Sequence, residues 1–425
     1  MNRSSAADER PPAGGGRPGW LHPTIVRAAI LAIAAGYAQF AVTTVLGEVA
    51  VEFGAADTTE PLAEEVGLST TTLGLGLATI RLAGIGALFA SALADRHGRR
   101  RMLLMLVGGG LALSTGAAAS PGFWVFVAIT AAARPLLSAT NALVAVVAAE
   151  ETTTEDRSKA MATIQAAYAL GSGTVAVLHG FASLSFRWIF LLSLVPLVLL
   201  PLLARKMEEP PLYRRLPPGQ RPALPGAIER PLWARLAIVT TLGFTAAIVT
   251  GPGLTYLFVY GENVLQAAPS FMSTLVLIAG PTGLVGLLAG RWAADALGRR
   301  VSAAGATVLM TGAAILTYGG STGMLTAGYL LLIFAGGAFG PSGGALLTEV
   351  FPTKARATAN GWATAAGVVG AVVGLGAFGA LADLFGSFPK AALVLWLPTL
   401  PFVVLYAKLP ETRDKELDAD TTVTG

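Results

Sequence analysis

The sequence predicts an all-α membrane protein, with twelve transmembrane helices in two pseudo-symmetric six-helix bundles, and three observations lead to that class. Charge is scarce: 13% of the 425 residues are charged, 54% are hydrophobic and the mean hydropathy is +0.65, so water cannot solvate most of the chain. Apolar runs of about 20 residues, the length that spans a bilayer, recur with centres near residues 36, 83, 110, 135, 171, 196, 246, 281, 308, 335, 369 and 398. The charged strings between them repeat: "LADRHGRRR" (93 to 101) and "AADALGRRV" (293 to 301) share Ala, Asp, Gly, Arg and Arg at a shift of 200.

Each stretch then takes its place in order. Residues 1–24 have no apolar core ending in a cleavage site, so they read as a disordered cytoplasmic tail and not as a signal peptide. The N-terminal six-helix bundle occupies 25–205. Its runs are too long and too rich in Gly and Ala for barrel strands, which alternate over about 10 residues. Residues 206–232 form a cytoplasmic linker in which Pro210, Pro211, Pro217, Pro218, Pro222, Pro225 and Pro231 forbid a long helix. The C-terminal bundle fills 233–408, and 409–425 is a polar, acidic, disordered tail. Two further pairs support the duplication. Glu150 and Arg157 after the fourth run match Glu349 and Arg356 after the tenth, and "RKMEEPP" (205 to 211) matches "AKLPETR" (407 to 413). Internal repeats of this kind mark transporters, with a substrate site between the halves near the midplane.

Basic residues orient the chain. With both termini in the cytoplasm, 25 of the 29 Lys and Arg fall on the inner side. Arg187 and Lys390 fall outside, and Arg81 and Arg134 fall within helices. The first outer loop carries Glu52, Asp57, Glu60, Glu64 and Glu65 with no basic residue. The net charge of +4 is therefore a topology signal and points to no nucleic-acid partner. The expected partners are a small-molecule substrate and the lipid bilayer of the plasma membrane, with the protein a monomer. No cysteine is present and His22, His97 and His179 have no metal-ligand spacing, so redox and zinc chemistry have no foothold. Neither a nucleophile with its base nor a nucleotide-binding loop appears, so an enzyme is not expected.

"LADRHGRRR", its partner string, the Glu-x6-Arg pairs, "FRWIFLLSLVP" (186 to 196) and "LPETRDKEL" (409 to 417) together resemble the major facilitator superfamily, in its branch of sugar porters and metabolite:proton symporters. The resemblance covers nearly all of residues 25 to 417. It implies an inner latch of charged groups that holds the cytoplasmic side shut while the outer side is open. The matching positions are Asp95, Arg99, Arg100, Glu150 and Arg157 in the first half and Asp295, Arg299, Arg300, Glu349 and Arg356 in the second.

The substrate site is read from polar residues inside the runs. Arg134 lies about 18 Å into the fourth run at 1.5 Å per residue, and an arginine at that depth costs about 2.5–3.5 kcal/mol unless it faces a cavity or partner. Ser138 and Asn141 continue its face, the fifth run offers Gln165, Tyr168 and Ser172, and the first offers Tyr37, Gln39 and Thr43. Arg81, nearer the outer end of the second run, could contact substrate or snorkel to water. In the seventh run, "TGPGLTYLFVY" (250 to 260) suggests a break at Gly-Pro-Gly, with Tyr256 and Tyr260 at a flexible gate. Glu48, Glu52, Glu262 and Asp383 all fall at outer helix ends or in outer loops, so no carboxylate accompanies the buried arginines. His179 reads as an interfacial histidine satisfied by water. No cofactor is expected, and coupling to a proton gradient stays open. These features point to a secondary or facilitative transporter of a small polar metabolite working by alternating access, with an anion as one candidate. The alternatives are an efflux transporter for drugs or secreted metabolites and a membrane sensor on a transporter fold.

Overall fold

The computed structural model describes residues 22–54, 62–150, 152, 154–182, 184–205 and 230–413, which form helices and turns and no strand. The first half comprises α1 (Pro23–Thr44), α2 (Leu46–Glu52), α3 (Ala63–Val66), α4 (Thr70–Ala83), α5 (Gly86–His97), α6 (Arg99–Ala117), α7 (Phe123–Glu150), α8 (Thr154–Ala182), α9 (Phe186–Leu191) and α10 (Leu194–Arg205). The second comprises α11 (Trp233–Thr255), α12 (Pro269–Leu297), α13 (Arg299–Thr317), α14 (Thr322–Phe339), α15 (Ala345–Glu349), α16 (Thr353–Phe385) and α17 (Phe388–Trp396), the last running into a 3-10 helix over Leu397–Lys408. Among the described residues, eleven helices are long and apolar enough to cross a membrane. The twelfth crossing is α6, whose first three residues are arginines that dilute its hydropathy. It packs on α7 as its counterpart α13 packs on α14.

The two halves repeat in detail. Gly98 and Gly298 have φ of 98° and 88°, left-handed values at which a Cβ is strained, and each starts the helix that carries the paired arginines. Arg100 Nη2 donates to Ala204 O (2.7 Å) and Arg300 Nη2 to Ala407 O (2.6 Å), so each half ties its motif loop to its own last helix. Close backbone contact is repeated too. A Cβ on Gly171 of α8 would run into Ile33 O of α1, and one on Gly370 of α16, 199 positions on, into Phe244 O of α11. Lipid gives helices no hydrophobic reason to associate, so small residues that bring backbones together do the work instead.

The rim bearing Pro23, Arg99, Arg299 and Lys408 is the basic end, and the rim bearing Glu48, Glu262 and Asp383 the acidic end. The halves meet along two seams, α4 against α16 and α8 against α12. Cross-half hydrogen bonds cluster at the acidic end. Towards the basic end α5, which continues α4, makes no comparable packing with α16 among the described residues.

Most of the tail at 1–24, of the linker at 206–232 and of the tail at 409–425 lies outside the described residues. Where the last tail is described, its first acidic residue caps a helix of the second half. Glu411 accepts from the backbone N of Arg299 (3.0 Å), Arg300 (3.1 Å), Thr412 (3.1 Å) and Arg413 (3.1 Å), satisfying donors that open α13. Burial alone would raise the Glu411 carboxyl. The N–H groups of Arg300, Arg413, Arg299 and Thr412 outweigh burial and hold it below the usual carboxylate range.

Candidate functional site

A cavity of about 60 Å³ sits where α1, α4, α6 and α7 of the first half face α11 and α16 of the second. One water needs roughly 10–15 Å³ by this measure, so the cavity holds a few waters. Arg81 and Arg134 both line it, with Gln39, Thr43, Ser114, Thr130 and Thr255 as polar company and Ala38, Leu77, Ile80, Leu137, Phe190 and Leu375 among the apolar walls. Pro135 follows Arg134 directly. It lacks an N–H, and α7 carries it as an interior proline beside the break between α4 and α5. Arg81 occupies the last turn of α4, where a cation meets the negative end of the helix dipole.

No carboxylate is among the lining residues. Two guanidinium groups therefore face one small space without an acidic counter-ion there. Tyr168 of α8 neighbours both arginines and Asn141, which links the sequence's stripe on α7 to α8. Gln39 Nε2 and Asn141 Oδ1 are buried without a hydrogen-bond partner. Orphaned polar atoms of this kind mark places where a polar solute or water completes the set. Gln165, one turn from Tyr168, is exposed to solvent.

Several expected site residues are placed elsewhere. Tyr37 is buried and its hydroxyl donates to Ile189 O (2.7 Å), pinning α1 to α9, so its proton is committed within the fold. Tyr256 and Tyr260 are not at the cavity wall. Both are fully buried in a stack of rings with Tyr318, Phe378, Phe388 and Trp396 near the acidic end. The Tyr256 hydroxyl lies 3.2 Å from Thr70 O and 3.4 Å from Leu375 O, and Tyr260 Oη accepts from Gly320 N (2.8 Å). The expected break at Gly-Pro-Gly is also displaced. α11 passes through Pro252, whose carbonyl still accepts from Tyr256 N, ends at Thr255 with Tyr256 as its C-cap, and is followed by a π turn over Val259–Val264.

At the basic end, Arg299 pairs with Glu349, both in the second half. Arg356 Nη2 reaches Phe351 O (3.4 Å) and Asp295 is exposed, making no ion pair with a described residue. Arg99 and Arg100 lie at the start of α6. The side chains of Asp95, Glu150 and Arg157 lie outside the described set.

The closed acidic end holds residues whose positions the sequence reveals but whose roles it does not. Asp383 of α16 is buried and accepts from Thr70 N (2.9 Å), Thr71 N (2.7 Å) and Thr70 Oγ1 (2.6 Å) of α4. Asn263 Nδ2 reaches Gly47 O and Val66 O (3.4 Å each) across the halves. His179, expected in interfacial water, is 2% exposed, with Glu262 and Glu48 on its two ring nitrogens. The signal for Asp383 and His179 was a polar residue at the end of an apolar run in a chain that places charge sparingly. What the sequence does not show is the partner, which for Asp383 lies 313 positions away.

Comparison with known proteins bears on this arrangement. The sequence pattern of the Major Facilitator Superfamily matches residues 28–293 and again 266–422. A D-xylose-proton symporter structure is 19% identical, with 94% of this chain and 100% of that one covered and a TM-score of 0.71. An inward-open xylose transporter from E. coli is 17% identical over 92% and 97%, with a TM-score of 0.72. The human organic anion transporter is 17% identical over 91% and 100%, with a TM-score of 0.61. No curated protein sequence matches significantly. At these identities the structures attest the fold, and the sequence pattern extends over both six-helix halves. The chain is a member of the Major Facilitator Superfamily, a membrane transporter and not an enzyme.

Proposed function

We propose that this transporter carries a small polar anion by alternating access through the plasma membrane, with both termini in the cytoplasm. One observation carries the reading: Arg81 and Arg134 share a cavity whose lining has no carboxylate. Each arginine at that depth costs about 2.5–3.5 kcal/mol, and a bound anion supplies the counter-charge and accepts their N–H groups. Gln39, Asn141, Tyr168 and Gln165 then orient the rest of the solute. Similarity of fold to a human organic anion transporter is consistent with this, and similarity to xylose transporters keeps a neutral polyol as the competing solute.

Efflux is favoured as the direction by a second observation. An open vestibule of about 580 Å³ at the acidic end is lined by Glu48, Glu52, Glu65 and Glu262 with Arg187 as its cation. Such a field repels an anion arriving from that side and helps one leave. Proton coupling and the inner latch belong to the same reading. In this reading Asp95, Glu150 and their counterparts Asp295 and Glu349 meet opposing arginines when the basic end closes.

Purified protein in liposomes, screened for flux of carboxylates, phosphorylated sugars, neutral sugars and cationic dyes under imposed pH gradients, tests the proposal. Anions should be carried in preference. Arg134→Gln should lower their flux by about 10- to 100-fold, and Arg134→Lys should retain part of it, because lysine keeps the charge but loses the planar fork. Preference for dyes or neutral sugars would overturn the reading.

A further inference from the structure

His179 belongs to the first half, at the end of α8, and is enclosed at the acidic end by carboxylates from two directions. Its Nε2 lies 2.9 Å and 3.1 Å from the two oxygens of Glu262, in the π turn of the second half. Its Nδ1 lies 3.3 Å from Glu48 Oε1, on α2 of its own half, an ionic contact without the direction of a good hydrogen bond. The other oxygen of Glu48 accepts from Phe186 N (2.7 Å), which fixes that carboxylate in place. Phe258 packs edge-on against the imidazole at 5.7 Å and helps seal it from solvent.

A neutral imidazole has one N–H and one lone pair, and the lone pair here would confront a carboxylate oxygen. Only the imidazolium presents a proton to both sides. From these contacts we infer that His179, Glu48 and Glu262 form a proton-binding site shared between the halves, and that occupancy by a proton holds the acidic end shut. This goes beyond the proposed substrate and does not depend on its identity.

The remaining charges around the site do not replace this proton. Glu52, on α2, is occupied by Arg187 of α9 (3.0 Å), and that guanidinium also lies over Phe186 at 4.9 Å. Glu65 of α3 lines the same vestibule and adds negative charge. From α12, the neighbours of this end of α8 are Ser273 and Pro269, which carry no charge. Burial pushes the Glu262 carboxyl above its ordinary range, and Glu48 nearby pushes in the same direction, while the His179 contact opposes both. A second proton at acidic pH therefore has a place to bind.

The direction of the coupling follows from which contacts survive opening. When the halves part at the acidic end, Glu262 leaves with the second half and His179 keeps only Glu48. The closed state thus binds the proton more tightly than the open one. By linkage, closure is strongest at low pH and weakens as pH rises and the closed cluster loses its proton.

The chain has no cysteine, so two can be introduced as the only labelling points. Gly122→Cys, between α6 and α7, and Gly323→Cys, in the first turn of α14, lie at the acidic end of opposite halves, and a Cβ at either meets nothing within 4 Å. Spin labels on this full-length protein in liposomes should show a short distance at about pH 6 that gives way to a longer one towards about pH 9. With His179→Gln added, the longer distance should persist at both pH values. Glu262→Gln should move the midpoint down by about 1–3 pH units, the shift that one close opposite charge produces. A wild-type distance independent of pH would overturn the inference, and so would a pH response that survives His179→Gln. If that variant does not fold, the Glu262→Gln midpoint decides, and an unmoved midpoint overturns it.

Discussion

Asp383 occupies both of its oxygens with donors at the start of α4, where the first N–H groups of a helix have no partner within it. A carboxylate there also meets the positive end of the helix dipole. Asp383→Ala leaves buried donors unmet, and we expect the closed acidic end to lose about 1–3 kcal/mol. That is roughly a 5- to 150-fold shift towards opening, readable with the label pair on Gly122 and Gly323. Sequence reading put this residue, Glu48 and Glu262 at helix ends and Arg134 well inside its run, because such positions follow from counting along an apolar run. It put Arg81 nearer the outer end, whereas Arg81 lies in the last turn of α4 and shares the cavity with Arg134. It did not place Tyr256, Tyr260 or His179 in their environments. Whether such a side chain faces water, lipid or another ring depends on helix rotation and on a neighbour from the other half, and neither is written locally.

The elements were legible because the bilayer fixes their length and the repeat fixes their order. α6 shows the limit of reading hydropathy alone: three arginines at its start mask a helix whose repeat partner is plain. The π turn over Val259–Val264 shows another limit, since glycines and a proline that promise a break are accommodated inside α11 and the irregularity follows them. The duplicated glycine contacts make a prediction about elements. Gly171→Leu should separate α8 from α1, and Gly370→Leu should separate α16 from α11, each costing about 1–3 kcal/mol as overpacking does. Melting of the detergent-solubilised protein should show both losses. Gly116→Ala, where a Cβ meets nothing within 4 Å, should show none.

At the scale of the molecule, each half carries its own ties at the basic end, through Arg100 to Ala204 and Arg300 to Ala407, so each moves with its motif loop as one body. Groups that hold the two bodies together at that end then act only while it is shut. Asp95→Ala should accordingly slow transport by about tenfold or more, which corresponds to a bias of about 1.4 kcal/mol between the two arrangements, while the protein still inserts and binds solute. Turnover equal to wild type in the liposome assay would remove Asp95 from that role.

The stack of Tyr256, Tyr260, Tyr318, Phe378, Phe388 and Trp396 lies wholly within the second bundle. It travels as ballast, and no ring of that set has to be unstacked from another for the far mouth to gape. What parts there includes a short series of polar links, each of which water can replace as it enters. A machine so built carries its aromatic ballast through the stroke as one piece, and each cycle must re-form those wetted links together with the apolar contacts between the halves.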